Sequence, residues 1–296
     1  SWLRSNLAIV YLMRGREQAR SGTDPGPVLE SAQEVLLEAH ELNPEDPFVL
    51  FNLGETDREL ARWAMLGEPP RGAARQRLLQ VLERGRERYR RGLELAPTIG
   101  QAWVDMARFD VMRAELELSG PSAQGGAAPL LERARGTLER ALEVDRRRVS
   151  APCELALVEV LEIESEATPG PLSAAAVARG ERALSGCLEL EPWNADYLRA
   201  PLRAAWRLLL RAPADQRASV SRIGVALADL ALEHQADHHE ARAYRAALAL
   251  AGGIADELAA GGGALELRRA LSAASSRVAP LAGRFAALPV APSAGG

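Results

Sequence analysis

Along residues 41–54, ELNPEDPFVLFNLG, a charged, Leu-bearing segment runs into Asn43-Pro44 and an apolar segment resumes almost at once. The residue before a proline is pushed out of the helical region, and a proline that opens the next helix gives up only an N–H that would have no intrahelical partner there. The stretch predicts two helices joined tightly. The same alternation of apolar stripes with Gly/Pro breaks covers the chain and predicts helices at about 1–21, 27–42, 46–66, 71–95, 99–118, 127–145, 150–166, 171–190, 194–211, 214–234, 238–260 and 264–287. Runs of β-branched residues are scarce and Ala, Leu, Arg and Glu dominate, so the expected class is all-α. The closing stretch, rich in Pro, Ala and Gly, is expected to be a disordered tail over residues 289–296.

The break recurs. After ELNP come LELAP (93–97), LEVDR (142–146), LELEP (188–192) and a weaker LALEH (230–234), at successive spacings of 53, 49, 46 and 42 residues. Upstream of each closing position stand a large residue eight places before (Leu36, Tyr89, Leu138, Leu184) and small residues five and twelve places before (Ala39, Gly92, Ala141, Cys187; Ala32, Gly85, Ala134, Gly180). One helix face of this kind lets a second helix approach at the small positions and fills a pocket at the large one. A period of this size indicates stacked helical units, none able to bury its apolar face alone. The units run at about 1–44, 45–97, 98–146, 147–192 and 193–234, with a degenerate capping pair at 235–288.

In these spacings the chain resembles the tetratricopeptide repeat, whose second helix carries this small, large, small and closing-Pro order. A large residue followed by a small one, which the family places on the first helix, is present at Leu53-Gly54, Met106-Ala107 and Leu155-Ala156, with Leu7-Ala8 giving a first unit; Pro201-Leu202 departs from it. The resemblance covers roughly residues 1–250 and implies a right-handed α-α superhelix of about six helix pairs. The family period is 34 residues. The excess here falls between the two helices of a pair: the small residues of first and second helix lie 31 apart in Gly54 to Gly85, 27 in Ala107 to Ala134 and 24 in Ala156 to Gly180. Each pair is therefore expected to have lengthened arms around a Gly/Pro turn. This long-armed form, with phrases such as GTDPGPVLE at 22–30, is similar to the regions C-terminal to the catalytic domain in serine/threonine protein kinases of myxobacterial type.

Composition narrows the chemistry. All 36 basic residues are Arg, so the lysine that a P-loop, a protein-kinase lobe or Schiff-base catalysis requires is missing. The 36 basic and 40 acidic residues are interleaved, which forms neither a nucleic-acid stripe nor a membrane-binding face. No run of about 18 uncharged apolar residues and no signal-peptide cleavage pattern occurs. Cys153 and Cys187 read as two small core residues, which suits a reducing compartment, and the expected location is the cytoplasm. Ser1 opens a segment that already reads as helix, so the chain is expected to be a region of a longer protein.

Candidate sites are few. His234, His238 and His239 cluster near Asp237 and Glu240, and a continuous helix would bring His234 and His238 onto one face, but the repeat boundary falls between them. No metal site and no cofactor is expected. Acids recur thirteen places after the closing position, at Asp57, Asp110 and Glu159, one to each unit; this spacing suits bonding between units better than a catalytic pair. The glycines 261–263 are not followed by a phosphate-loop sequence and read as a turn. The family resemblance places first helices on the concave face, where Glu55, Arg58, Glu59, Arg108, Arg203, Trp206, Arg207 and Arg245 are expected to line a partner-binding groove. Arginines there suit a partner's carboxylates, and Trp206 suits an apolar anchor. The expected function is a non-catalytic scaffold for a protein or peptide, or the recruiting arm of a kinase fused upstream.

Overall fold

A computed structural model describes residues 2–65, 70–119, 126–145, 150–167, 170–190, 195–236 and 238–252. These form eleven α-helices: α1 (Trp2–Ser21), α2 (Gly26–Leu42), α3 (Pro47–Ala64), α4 (Gly72–Leu95), α5 (Gly100–Leu118), α6 (Ala128–Val144), α7 (Ser150–Glu166), α8 (Ala174–Leu188), α9 (Arg199–Arg211), α10 (Arg217–His234) and α11 (His239–Ala251). The expected helix at 264–287, the glycines 261–263 and the tail at 289–296 lie outside the described residues.

The opening break is built as its residues require. Asp46 caps α3 by accepting a hydrogen bond from the Phe48 N–H at 3.0 Å, and Pro47 takes the first turn, where its missing N–H costs nothing. Ser173 caps α8 in the same way. Gly22, Gly72 and Gly170 turn the chain inside helix pairs with φ of 78°, 54° and 123°, values that side chains with a Cβ resist. The arms are long, with 18 residues in α3 and 24 in α4.

The helices pair in sequence, α1 with α2 through α9 with α10, and each second helix packs on the next first helix. First helices meet along the other side of the array, α1 on α3, α5 on α7, α7 on α9 and α9 on α11. The core is a succession of seams. One joins Leu36 and Ala39 of α2 to Val49 and Leu53 of α3; another joins Tyr89 and Leu93 of α4 to Met106 and Phe109 of α5; a third runs from α5 to α11.

The small positions do what their spacing predicts. A Cβ on Gly85 would stand 2.4 Å from the Phe109 ring of the next unit, and one on Gly180 would stand 2.8 Å from Leu208. Tyr89 stacks on Phe51 at 5.5 Å and lies 5.9 Å from Phe109, so one aromatic side chain bridges two units.

Two expectations need correction. The single helix predicted at 194–211 begins with a 3-10 turn, Ala195–Leu198, and becomes α-helical only at Arg199, which puts Pro201 in the first turn, where no N–H is needed. Cys153 and Cys187 are buried as expected but are joined in a disulfide, with Cα atoms 5.0 Å apart. The repeat register explains it. Cys187 stands five places before a closing position and Cys153 seven after the previous one, the slots that Gly92 and Phe51 occupy in contact with each other. The reducing compartment inferred from free thiols loses that support.

Candidate partner-binding face

First helices contribute a continuous strip of paired charges. Arg16 of α1 bonds Glu59 of α3 at 3.0 Å and also pairs with Glu55. Arg58 of α3 donates to Glu55 at 2.6 Å and across to Asp105 of α5 at 2.7 Å. Arg108 of α5 donates to Asp105 and to Glu154 of α7, both at 2.6 Å. Arg207 of α9 bonds Glu164 of α7 at 2.9 Å, and Arg203 of α9 pairs with Glu115 of α5. The strip closes on itself, because Glu240 of α11 accepts from Arg62 of α3 at 3.0 Å and lies 3.4 Å from Arg199 of α9.

Most acids of the strip are more buried than its arginines. Glu55, Glu59, Asp105, Glu115, Glu154 and Glu164 keep 7–13% of their side-chain surface and Glu240 keeps 32%, whereas Arg16, Arg58, Arg62, Arg108, Arg203 and Arg207 keep 15–39%. Burial pushes the Glu59 carboxyl up, but Arg62, Arg58 and Arg16 outweigh it and hold the group below its ordinary range. Glu240 is likewise pulled down, against burial, chiefly by Arg62 and Arg199. Arg203 is held above its ordinary value; burial opposes this and Glu115 overrides it.

Six of the eight residues expected in the groove, Glu55, Arg58, Glu59, Arg108, Arg203 and Arg207, therefore fall on one strip. Trp206 does not present an anchor there: it is 4% exposed and packs in the core seam, since one position along the helix turns it about 100° from Arg207. Arg245 turns back onto the preceding unit and bonds Asp229 of α10 at 2.5 Å. His234 ends α10, while His238 caps α11 by accepting the Ala241 N–H at 3.1 Å, so the two imidazoles stand on different helices.

The recurrent acids form clamps between units. Asp57 accepts from Arg84 of its own pair at 2.6 Å and from Gln33 of the preceding one at 3.2 Å; Asp110 accepts from Arg133 at 2.5 Å and Arg86 at 3.0 Å; Glu159 pairs with Arg179 at 2.6 Å and Arg135 at 2.7 Å. The donors repeat in register as well. Arg84, Arg133 and Arg179 each stand thirteen places before a closing position, and Gln33, Arg86 and Arg135 eleven before. That signal was present in the sequence beside the acids and completes the set.

No described helix is long and apolar enough to cross a membrane. No protein-family model and no curated protein matches the chain. Among solved structures, a thermophilic tetratricopeptide protein of Thermus thermophilus is similar over 82% of this chain and 99% of its own, at 16% identity and a TM-score of 0.53. The MamA protein is similar over 77% of this chain and 92% of its own, at 14% identity and a TM-score of 0.38. With the helix pairs and small-residue seams described above, the chain has the fold of a tetratricopeptide-like α-α solenoid.

Proposed function

We propose that the chain is a non-catalytic protein-interaction scaffold that holds a protein or peptide segment along its charged strip. The observation that carries this reading is the unbroken run of ion-paired, partly exposed arginines along successive first helices. A guanidinium group has five donors in a fixed fork, so an arginine paired with one or two acids keeps N–H groups for a partner's carboxylate or carbonyl. General acid or base work needs a carboxyl tuned towards neutrality, and Glu59 and Glu240 are moved the opposite way. Binding should be salt-sensitive, because the recognising groups are partly solvated charges.

The test is a random-peptide array probed with the full chain, followed by fluorescence anisotropy on the strongest binders. Support is an affinity that falls about tenfold or more between low and physiological salt, and again in an Arg203→Gln/Arg207→Gln variant with unchanged circular dichroism. Peptides that bind this variant as well as the parent would place recognition elsewhere. Fusion to a serine/threonine kinase is supported by the lengthened arms and the GTDPGPVLE phrase. Translation of the DNA upstream of the Ser1 codon decides it: a Gly-rich loop with its lysine, an HRD and a DFG are expected, and a frame without them removes the idea.

A further inference from the structure

The ion pairs of the strip are of two kinds. Arg58 with Asp105, Arg108 with Glu154 and Arg207 with Glu164 join neighbouring first helices. Arg62 with Glu240 does not: it passes over α5, α7 and α9. Packed helices stand about 8–10 Å apart, so in a flat row four such steps would leave α3 and α11 roughly 30–40 Å from each other. The pair therefore exists only while the row brings α11 back towards α3, and anything that shifts the row or occupies Arg62 breaks it.

The repeat register sets Arg62 apart. It stands eighteen places after a closing position, and the same place holds Glu115 in α5 and Glu164 in α7, acids that Arg203 and Arg207 of α9 meet. Arg62 reverses the sign of that row. Glu59 of its own helix lies 3.9 Å away and is bonded by Arg16, so the hydrogen bond of Arg62 goes to Glu240, at 3.0 Å. α11 does not need this contact to form: Glu240 sits in its first turn, where a carboxylate is favoured by the helix N-terminus wherever its side chain points, and His238 caps the helix. Arg199 of α9, 3.4 Å away, keeps the acid on the α9–α11 side. Arg62 retains 39% and Glu240 32% of its side-chain surface, so both are open to exchange with other charged groups.

We propose that Glu240 is an internal competitor for Arg62: in the free chain it takes the place of a partner's carboxylate, and an acidic segment binds along the strip by displacing it. The inference rests on the reading of the strip as a partner-binding face and adds to it the chemistry of the partner, which brings an Asp or Glu to Arg62. A partly exposed ion pair is weak, so the contact lowers affinity without abolishing it. Apparent affinity in the parent chain is reduced by the fraction of molecules in which Arg62 is open.

Hydrogen exchange of the full chain, followed by mass spectrometry, reads the contact with no partner present. α11 should exchange about two- to fivefold faster in Arg62→Gln than in the parent, although Glu240 keeps its place in the first turn; equal rates overturn the proposal. Fluorescence anisotropy with the acidic peptides selected on the array then reads the competition. Glu240→Gln should tighten their binding about two- to fivefold, and the gain should vanish in an Arg62→Gln background and for peptides whose acids are changed to amides. Glu233→Gln, which removes an equal charge at an exposed position of α10, should change nothing. Acidic binders indifferent to Glu240→Gln, or a gain that persists without Arg62, overturn this inference and leave the scaffold reading standing. An array without binders overturns both.

Discussion

Gly85 and Gly136 both lie inside helices, and the same substitution to Ala should change stability in opposite directions. In an exposed helix interior, Gly to Ala gains about 1 kcal/mol from helix propensity and unfolded-state entropy. Gly136 of α6 is exposed, and a Cβ there meets nothing within 4 Å, so Gly136→Ala should stabilise by about 0.5–1 kcal/mol. At Gly85 of α4 the Cβ would stand 2.4 and 2.6 Å from the Phe109 ring and 2.9 Å from the Asp57 Cβ. Phe109 is fully buried against Tyr89, and Asp57 is held by Arg84, Arg88 and Gln33, so neither neighbour can move aside cheaply. Overpacking of this kind costs about 1–3 kcal/mol and a displaced ring loses more, which exceeds the propensity gain. Gly85→Ala should be destabilising by about 1–2 kcal/mol net. Urea unfolding followed by circular dichroism measures both variants against the parent. If Gly85→Ala proved as stable as the parent, the inter-unit seam would not be packed at that position and the small-residue code would lose its physical basis.

Three further outcomes follow from the same structure. Asp110→Ala removes the buried acceptor shared by Arg86 and Arg133 and should cost about 2–3 kcal/mol in urea unfolding, part of the effect being recovered in Asp110→Asn; no loss would mean that the clamp is ornamental. Reduction, or Cys153→Ser, opens a link between residues 34 apart and should cost about 3–4 kcal/mol, with neither cysteine alkylated before a reductant is added; labelling of both without one contradicts the link. Glu59 and Glu240 are both depressed, so the stability they contribute is complete above the ordinary carboxylate range and is lost as pH falls through their lowered values. Unfolding midpoints should be flat from about pH 6 to 8 and drop below about pH 4, with a shallower drop in Glu59→Gln; an unchanged slope in that variant contradicts the assignment.

What the sequence disclosed was whatever repeats. The closing positions, the large and small residues before them and the lengthened arms recur at fixed offsets, and each describes a contact made afresh in every unit. The small position at Gly85 and the large ones at Leu36 and Leu53 were legible for that reason. The departures follow from contacts made once. Trp206 and Arg207 are neighbours in sequence, and only the rotation of α9 after its 3-10 turn sends one into the core and the other to the strip. Arg245 follows Asp229, its partner on α10 of the preceding unit. The Glu240 contact joins α3 to α11 across 178 residues, a separation that no local pattern records. The disulfide belongs to neither group. Its two slots were readable from Gly92 and Phe51, but two cysteines meeting in one slot occur once, so no repetition drew attention to them.

A photo-crosslinking amino acid placed in turn at Arg16 and Arg62 on the charged strip, and at the exposed Glu139 and Arg140 on the second helix α6, tests binding along the strip most directly. The chain is illuminated with the peptides selected on the array, and adducts are mapped by mass spectrometry. Binding along the strip predicts peptide adducts from the two strip positions that disappear on raising salt, and none from α6. Equal adducts from α6, or adducts from α6 alone, would contradict it.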